Sequence, residues 1–131
     1  MAIDGGLITP VIHHCEGLSL TEMASAARQV ISRARSGHLR PEDLEGGTFT
    51  VSNLGMFGVK QFEAIINPPQ AAILTVGAVR RVPIFDVRDH IVPGQLLTAT
   101  ISADHRVTDG AEVARFLQEL KSALETGFAL M

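Results

Sequence analysis

The run Ala71-Ala72-Ile73-Leu74-Thr75-Val76-Gly77-Ala78-Val79 constrains the fold most, because it is apolar on both alternating faces. A strand of that kind is buried on both sides, so other elements must be layered against it. The chain offers several. Leu96 to Ser102 and Val82 to Val87 read as further strands, joined by a polar connection with Asp89, His90 and a Pro93-Gly94 turn. Thr48 to Ser52 is a β-rich segment, and Leu7 to Ile12 reads as a strand whose Pro10 favours an end, an edge or a bulge.

Two helices accompany these strands. Ser19 and Glu22 form a capping-box pattern, after which Met23, Ala26, Ala27, Val30, Ile31 and Ala34 follow one helical face. Arg33 and Arg35 fall in its last turn and Gly37 fits just past its end. Val113, Phe116, Leu117, Leu120 and Leu124 mark the second helix, with Asp109 as its cap and Glu112 completing a capping box. Pro41 to Leu44 reads as one helical turn, and Phe62, Ile65 and Ile66 as a short turn or helix ending at Asn67-Pro68-Pro69. Strands interleaved with helices predict an α/β fold of the α+β kind, with a mixed sheet, in a single domain over residues 1–131.

Composition removes several functional classes. The 131 residues are 46% hydrophobic, enough to bury a core. Net charge is −3, and Lys and Arg are scattered, leaving no electrostatic footprint for nucleic acid. Apolar stretches fall short of the roughly 20 residues that a bilayer requires. Cys15 stands alone, so no intramolecular disulfide forms and a reducing interior is the simpler setting. The N-terminus lacks a basic region followed by an apolar core, and a cytoplasmic location is expected.

Chemistry concentrates in Asp104-His105-Arg106-Val107-Thr108-Asp109-Gly110, at the junction of a strand and a helix. An imidazole between carboxylates can have its tautomer fixed and its basicity tuned, as a general base requires. The competing reading is a local salt-bridge cluster, with Arg106 paired to Asp104 or Asp109 and His105 merely exposed. Ser52 ends a strand that enters the loop Asn53-Leu54-Gly55-Met56-Phe57-Gly58, whose glycines suggest close approach to another surface. Its hydroxyl could act as nucleophile or oxyanion donor, or simply satisfy local backbone. Gly-x-Ser-x-Gly is absent, and no Gly-Lys-Ser/Thr follows Gly55 and Gly58. His13-His14-Cys15 is a poor metal site, since neighbours on a strand point to opposite faces, and no metal is expected. His38 and His90 lie in polar connections and are read as solvated.

Four stretches in order carry a family resemblance: Asp-Gly-Gly-Leu-Ile-Thr-Pro-Val-Ile from Asp4, Gly-Gly-Thr-Phe-Thr-Val-Ser-Asn-Leu-Gly-Met-Phe-Gly from Gly46, Asn-Pro-Pro-Gln-Ala-Ala-Ile-Leu from Asn67, and the His105 motif. They resemble the catalytic domain of the dihydrolipoamide acyltransferases of 2-oxoacid dehydrogenase complexes. The resemblance implies a chloramphenicol acetyltransferase-like fold, with His105 as general base, Asp109 as the residue four places on, and Ser52 as the oxyanion donor. It implies dihydrolipoamide and coenzyme A as substrates, with no metal. It also implies a homotrimer whose active sites lie between subunits, a larger hollow core built through an apolar tail such as Gly127 to Met131, and the complex's other components as partners.

Thr108 stands where the family more often has an apolar residue. The matching region begins in the middle of the family's catalytic domain, so the fold is expected to be truncated on its N-terminal side, with no lipoyl or peripheral subunit-binding domain. Three expectations follow: a piece of a longer product, a short homologue completed by a chain that supplies the N-terminal half, or a non-catalytic core or assembly module that keeps fold and oligomer contacts.

Overall fold

The computed structural model describes residues 1–3 and 6–127. The apolar tail expected to mediate assembly therefore falls, from residue 128 onward, outside the described residues. The chain divides into two compact units, Met1–Gly47 with Thr126–Met131, and Thr48–Glu125.

In the first unit, β1 (Ala2–Ile3) pairs antiparallel with β2 (Gly6–Leu7). The strand expected over Leu7 to Ile12 stops at Leu7, a correction. The last ladder bond is the Ile8 N–H on the Met1 carbonyl at 3.0 Å, and beyond it the Val11 N–H donates to the Asp43 carbonyl at 2.7 Å, drawing the chain away from β1. Helix α1 (Leu20–Arg35) forms as its sequence dictates: Ser19 and Glu22 complete the capping box. At the other end Gly37, with φ of 73°, lets its own N–H reach the Ala34 carbonyl and that of His38 reach Arg33, a Schellman ending.

Pro41–Asp43 forms the expected single turn, of 3₁₀ type. Asp43 is the buried charge that the sequence did not signal. It is 4% exposed and takes two hydrogen bonds from Arg33, at 2.6 and 3.0 Å, and one from the Arg40 N–H at 3.0 Å. Those donors, led by the Arg33 guanidinium, hold its carboxyl well below the usual carboxylate range.

The second unit is built on a three-stranded mixed sheet in the order β3 (Phe49–Asn53), β4 (Ala72–Val76), β7 (Ala99–Ala103). β3 runs parallel to β4 and β7 antiparallel to it. β4 is the central strand, and Ala72, Ile73, Leu74 and Thr75 are buried, as the two-faced apolar run requires. It is shorter than the run: the Gly77 N–H still donates to the Thr98 carbonyl at 2.9 Å in the β4–β7 register, but the Ala78 N–H goes to the Val59 carbonyl at 2.8 Å. A Cβ on Gly77 would stand 2.1 Å from the Lys60 carbonyl oxygen, so glycine is needed for the chains to pass.

A separate antiparallel ribbon joins β5 (Arg80–Phe85) and β6 (Ile91–Leu96). Here two strand expectations are corrected. Pro93 and Gly94 lie inside β6 rather than in a turn, and the run from Leu96 to Ser102 is divided between β6 and β7. The turn is made by Asp86 to His90, where the Asp86 carboxylate accepts from the Arg88 and His90 N–H groups at 2.7 and 2.9 Å. Pro93 faces Pro83 in register. Counting back from the Asp86 N–H bond to the His90 carbonyl, that pair occupies a non-hydrogen-bonded position, where neither missing N–H is wanted.

The helix or turn expected around Phe62, Ile65 and Ile66 is absent; residues 59–67 run without regular structure. They are tied instead by Thr75, whose hydroxyl donates to the Phe62 carbonyl at 2.8 Å, and by the Ala78 N–H on the Val59 carbonyl at 2.8 Å. Asn67 to Gln70 makes a tight turn with a cis Pro68-Pro69 bond. Helix α2 (Gly110–Thr126) follows β7 and packs Phe116 on Phe49, ring centroids 5.9 Å apart.

Candidate active site

Strand alternation divides the second unit's sheet into unlike faces. Phe49, Val51, Ala72, Leu74, Ile101 and Ala103 share the apolar face, which carries the Phe49 contact with α2. On the other face the register sets Ser52, Thr75 and Thr100 side by side across three strands, with Thr50 and Ser102 in the next row. Thr75 is 2% exposed and satisfied by its neighbours, and Thr50 donates to the Gln70 side-chain oxygen. Ser52 is half-buried and has no such partner among the described residues. Its hydroxyl, like that of Thr100 in the same row, has no hydrogen-bond partner among the described residues and is free to donate.

His105 sits in the turn after β7 and is exposed. The turn is organised by Asp104. Its N–H donates to the Ala71 carbonyl at 2.8 Å, and its own carbonyl accepts from the Val107 and Thr108 N–H groups at 2.9 and 3.1 Å. Its carboxylate accepts from the Arg106 N–H at 2.9 Å and from the Arg106 guanidinium at 2.6 to 3.1 Å. The guanidinium and that N–H lower the Asp104 carboxyl to about 2.

On the other side Asp109 caps α2, accepting from the Ala111 and Glu112 N–H groups at 2.8 and 2.9 Å. The Glu112 carboxylate takes the Thr108 hydroxyl at 2.7 Å, so the second half of the expected capping box is replaced by a side-chain pair. Thr108, read from sequence as a mild departure, thereby fastens the turn to the helix.

Within one chain the turn has the form of the salt-bridge reading: Arg106 pairs with Asp104, and neither Asp104 nor Asp109 reaches the imidazole among the described residues. Nor does one chain bring His105 to Ser52. Ala103, where β7 ends, is in register with Ala72 and so with Phe49, three residues before Ser52. At about 3.3 Å per residue and 4.8 Å per strand, that puts the Ala103 and Ser52 backbones about 10 Å apart along the strands and 10 Å across them. His105 lies beyond Ala103, past the end of the sheet away from Ser52.

The Asp104 turn is what sequence reading missed. Its signal was Asp two residues before a residue whose N–H it can accept, the Asx-turn pattern. Among the described residues no cluster of three or more His, Cys, Asp or Glu could hold a metal ion. His13 instead meets the Glu42 carbonyl at 2.8 Å, and the Cys15 thiol meets the Ile12 carbonyl at 3.1 Å. His38 and His90 are exposed, as expected. No described helix is long and apolar enough to cross a membrane.

The whole chain, residues 1–131, matches the family model for the 2-oxoacid dehydrogenases acyltransferase catalytic domain. It is 42% identical, over its full length, to the dihydrolipoyllysine-residue acetyltransferase component of the Zymomonas mobilis pyruvate dehydrogenase complex, covering 30% of that protein. Identity to the mitochondrial counterpart from Schizosaccharomyces pombe is 47%, covering 28% of it. In three dimensions the chain resembles a probable dihydrolipoamide acetyltransferase from Listeria monocytogenes, with TM-score 0.87 and 37% identity over 96% of this chain and 53% of that one.

It also resembles the Azotobacter vinelandii dihydrolipoamide acetyltransferase, in a structure addressing a serine, a histidine and an asparagine in the catalytic mechanism, with TM-score 0.86 and 36% identity. That likeness covers 96% of this chain and 52% of the other. The chain thus spans about a third or less of the curated relatives and about half of the solved domains. With its mixed sheet, two helices and full-length match, it belongs to the 2-oxoacid dehydrogenase acyltransferase catalytic-domain family.

Proposed function

We propose that this chain supplies the reacting groups of a thioester acyltransferase that moves an acyl group between dihydrolipoamide and coenzyme A in a 2-oxoacid dehydrogenase complex. His105 takes the proton of the attacking thiol, and the thiolate adds to the thioester carbonyl of the partner substrate. Ser52 donates its hydroxyl to the oxyanion of the tetrahedral intermediate, a contact worth about 3 kcal/mol of barrier. Collapse expels the second thiolate, which recovers the proton from the imidazolium. Asp109 acts by holding the start of α2, and no acyl-serine forms.

The observation that carries this reading is the pair of unpartnered groups, Ser52 on the hydroxyl face and His105 on its exposed turn, held too far apart to meet within one chain. Two copies in a homotrimer bring base and oxyanion donor together. Apolar side chains left open, among them Met56 at 78% and Phe57 at 68% exposure beside the Ser52 strand, suit such a covered site. The Azotobacter enzyme adds weight: its mechanism is addressed at a serine, a histidine and an asparagine, the last two four residues apart as His105 and Asp109 are here, with aspartate standing in place of asparagine. The proposed location is the cytoplasm, within a larger hollow core that binds the complex's other components.

The test offers acetyl, succinyl and branched-chain esters of coenzyme A with free dihydrolipoamide, following acyl-dihydrolipoamide by chromatography. The chain is assayed alone and mixed with the separately expressed first half of the Zymomonas catalytic domain. Transfer that disappears in His105→Ala supports the proposal; no transfer by a folded oligomer in either setting refutes it. The second reading, a non-catalytic core or assembly module, is favoured by the exposed His105, which neither the Asp104 carboxylate, paired to Arg106, nor that of Asp109, spent on the helix cap, orients. It predicts that oligomer without transfer.

A further inference from the structure

His105 makes no hydrogen bond to any described group, so its place in space is set by its backbone alone. That backbone is set by its neighbour. Every polar group of Asp104 is engaged: N–H to Ala71, carbonyl to Val107 and Thr108, carboxylate to the Arg106 N–H and guanidinium. The N–H bond ties the turn to the residue just before the buried strand β4, and the carbonyl bonds close it beneath His105. The Oδ1 bond to the Arg106 N–H, two residues on, spans His105 itself.

We infer that Asp104 is a positioning residue for His105, and that it acts through the Asx-turn bond from its side-chain oxygen to the Arg106 N–H rather than through its charge. The inference rests on His105 being the base of the acyl transfer. Two features separate the contributions. Arg106 is 89% exposed at its side chain, and an ion pair to so solvated a guanidinium contributes little to order. The Oδ1 bond is short-range and directional, closing a ring that only Asp or Asn closes with this geometry. A base displaced by about 1 Å can lose on the order of 100-fold in rate, so a turn that fixes the Cα of His105 bears directly on the chemical step.

Two conservative variants part geometry from charge. Asp104→Asn keeps the side-chain oxygen at the same reach and removes the charge; Asp104→Glu keeps the charge and moves the oxygen by one methylene. Both are assayed in the assembly in which the unaltered chain transfers acyl groups, with amide exchange of Val107 and Thr108 followed in parallel. Expected are kcat within threefold of wild type for Asp104→Asn and about 10- to 100-fold lower for Asp104→Glu, with both KM values within twofold. Val107 and Thr108 should lose protection in Asp104→Glu only. Equal kcat in the two variants, or the reverse order, overturns the inference while leaving the acyltransferase reading standing. A wild-type assembly without turnover overturns that reading and, with it, this role.

Discussion

Thr75→Val isolates one hydrogen bond in the densest part of the sheet. Thr75 is 2% exposed, lies in register with Ser52, and its hydroxyl donates to the Phe62 carbonyl at 2.8 Å, with the Thr100 carbonyl a more distant acceptor at 3.2 Å. Valine has nearly the same shape, so no cavity opens, but the Phe62 carbonyl loses its donor. An acceptor orphaned in a buried setting costs about 1–3 kcal/mol, and the Phe62 carbonyl, in a part-buried bond, stands below the top of that range. Replacing a buried hydroxyl by a methyl returns up to about 0.8 kcal/mol of transfer free energy. The net loss is about 0.2–2 kcal/mol, which for a unit the size of Thr48–Glu125 lowers the thermal midpoint by about 1–16 °C.

Calorimetry and urea titration read the loss. Amide exchange reads its place, because residues 59–62 hang on this bond and on the Ala78 N–H to the Val59 carbonyl. Ala78 should lose protection in Thr75→Val and keep it in Thr75→Ser, which retains the donor. A Thr75→Val protein as stable as wild type, with Ala78 still protected, would show that the hydroxyl does not hold the segment.

Asp109→Asn should keep α2 capped, because asparagine caps as well as aspartate, whereas Asp109→Ala should cost about 1 kcal/mol in urea unfolding. Activity should follow the same order; loss of transfer in Asp109→Asn with unchanged stability would assign Asp109 a charge-dependent part in the chemistry. Ser52→Ala should lower kcat by about 10²–10³ with little change in stability, and an unchanged kcat would remove Ser52 from the oxyanion role. Gly77→Ala places a methyl against the Lys60 carbonyl and should destabilise by about 3 kcal/mol, measured by urea unfolding.

Acid should loosen the fold in a defined window. The buried Asp43 has its carboxyl lowered from 3.8, so its contribution is present above that value and is lost as pH falls below it, whereas the solvated Asp104–Arg106 pair should add little to the loss. Carboxyl NMR titrations should show Asp104 near 2 and Asp43 lower still. Arg33→Gln should raise the Asp43 midpoint; an unmoved midpoint would contradict Arg33 as its main cause.

Both helices and the central strand were legible, and Ser52 and His105 stood out as candidates, because each is a local statement. A capping box, a glycine past a helix end or an apolar run on both faces acts through neighbours in sequence. The misread segments are those in which distant partners chose the conformation. Pro93-Gly94 has turn chemistry, yet it lies in a strand because Pro83 faces it at a position that needs no N–H. Residues 62–66 have helical spacing, yet the side chain of Thr75 holds them unwound. Leu7 to Ile12 has strand composition, but past Ile8 the Asp43 carbonyl takes the Val11 N–H and draws the chain away from β1.

Sequence by itself determined which residue types meet at the strand-to-helix turn, and the family to which their motif belongs. Tertiary structure decided the rest of the site. The strand register carries Ser52 and His105 away from one another, because β7 runs antiparallel to β4 while β3 runs parallel to it. Asp104 spends its carboxylate on the turn and Asp109 on the helix, so neither remains to orient the imidazole. Sequence spacing cannot express either outcome, since both follow from hydrogen bonds that are satisfied only when the strands and the helix are in place.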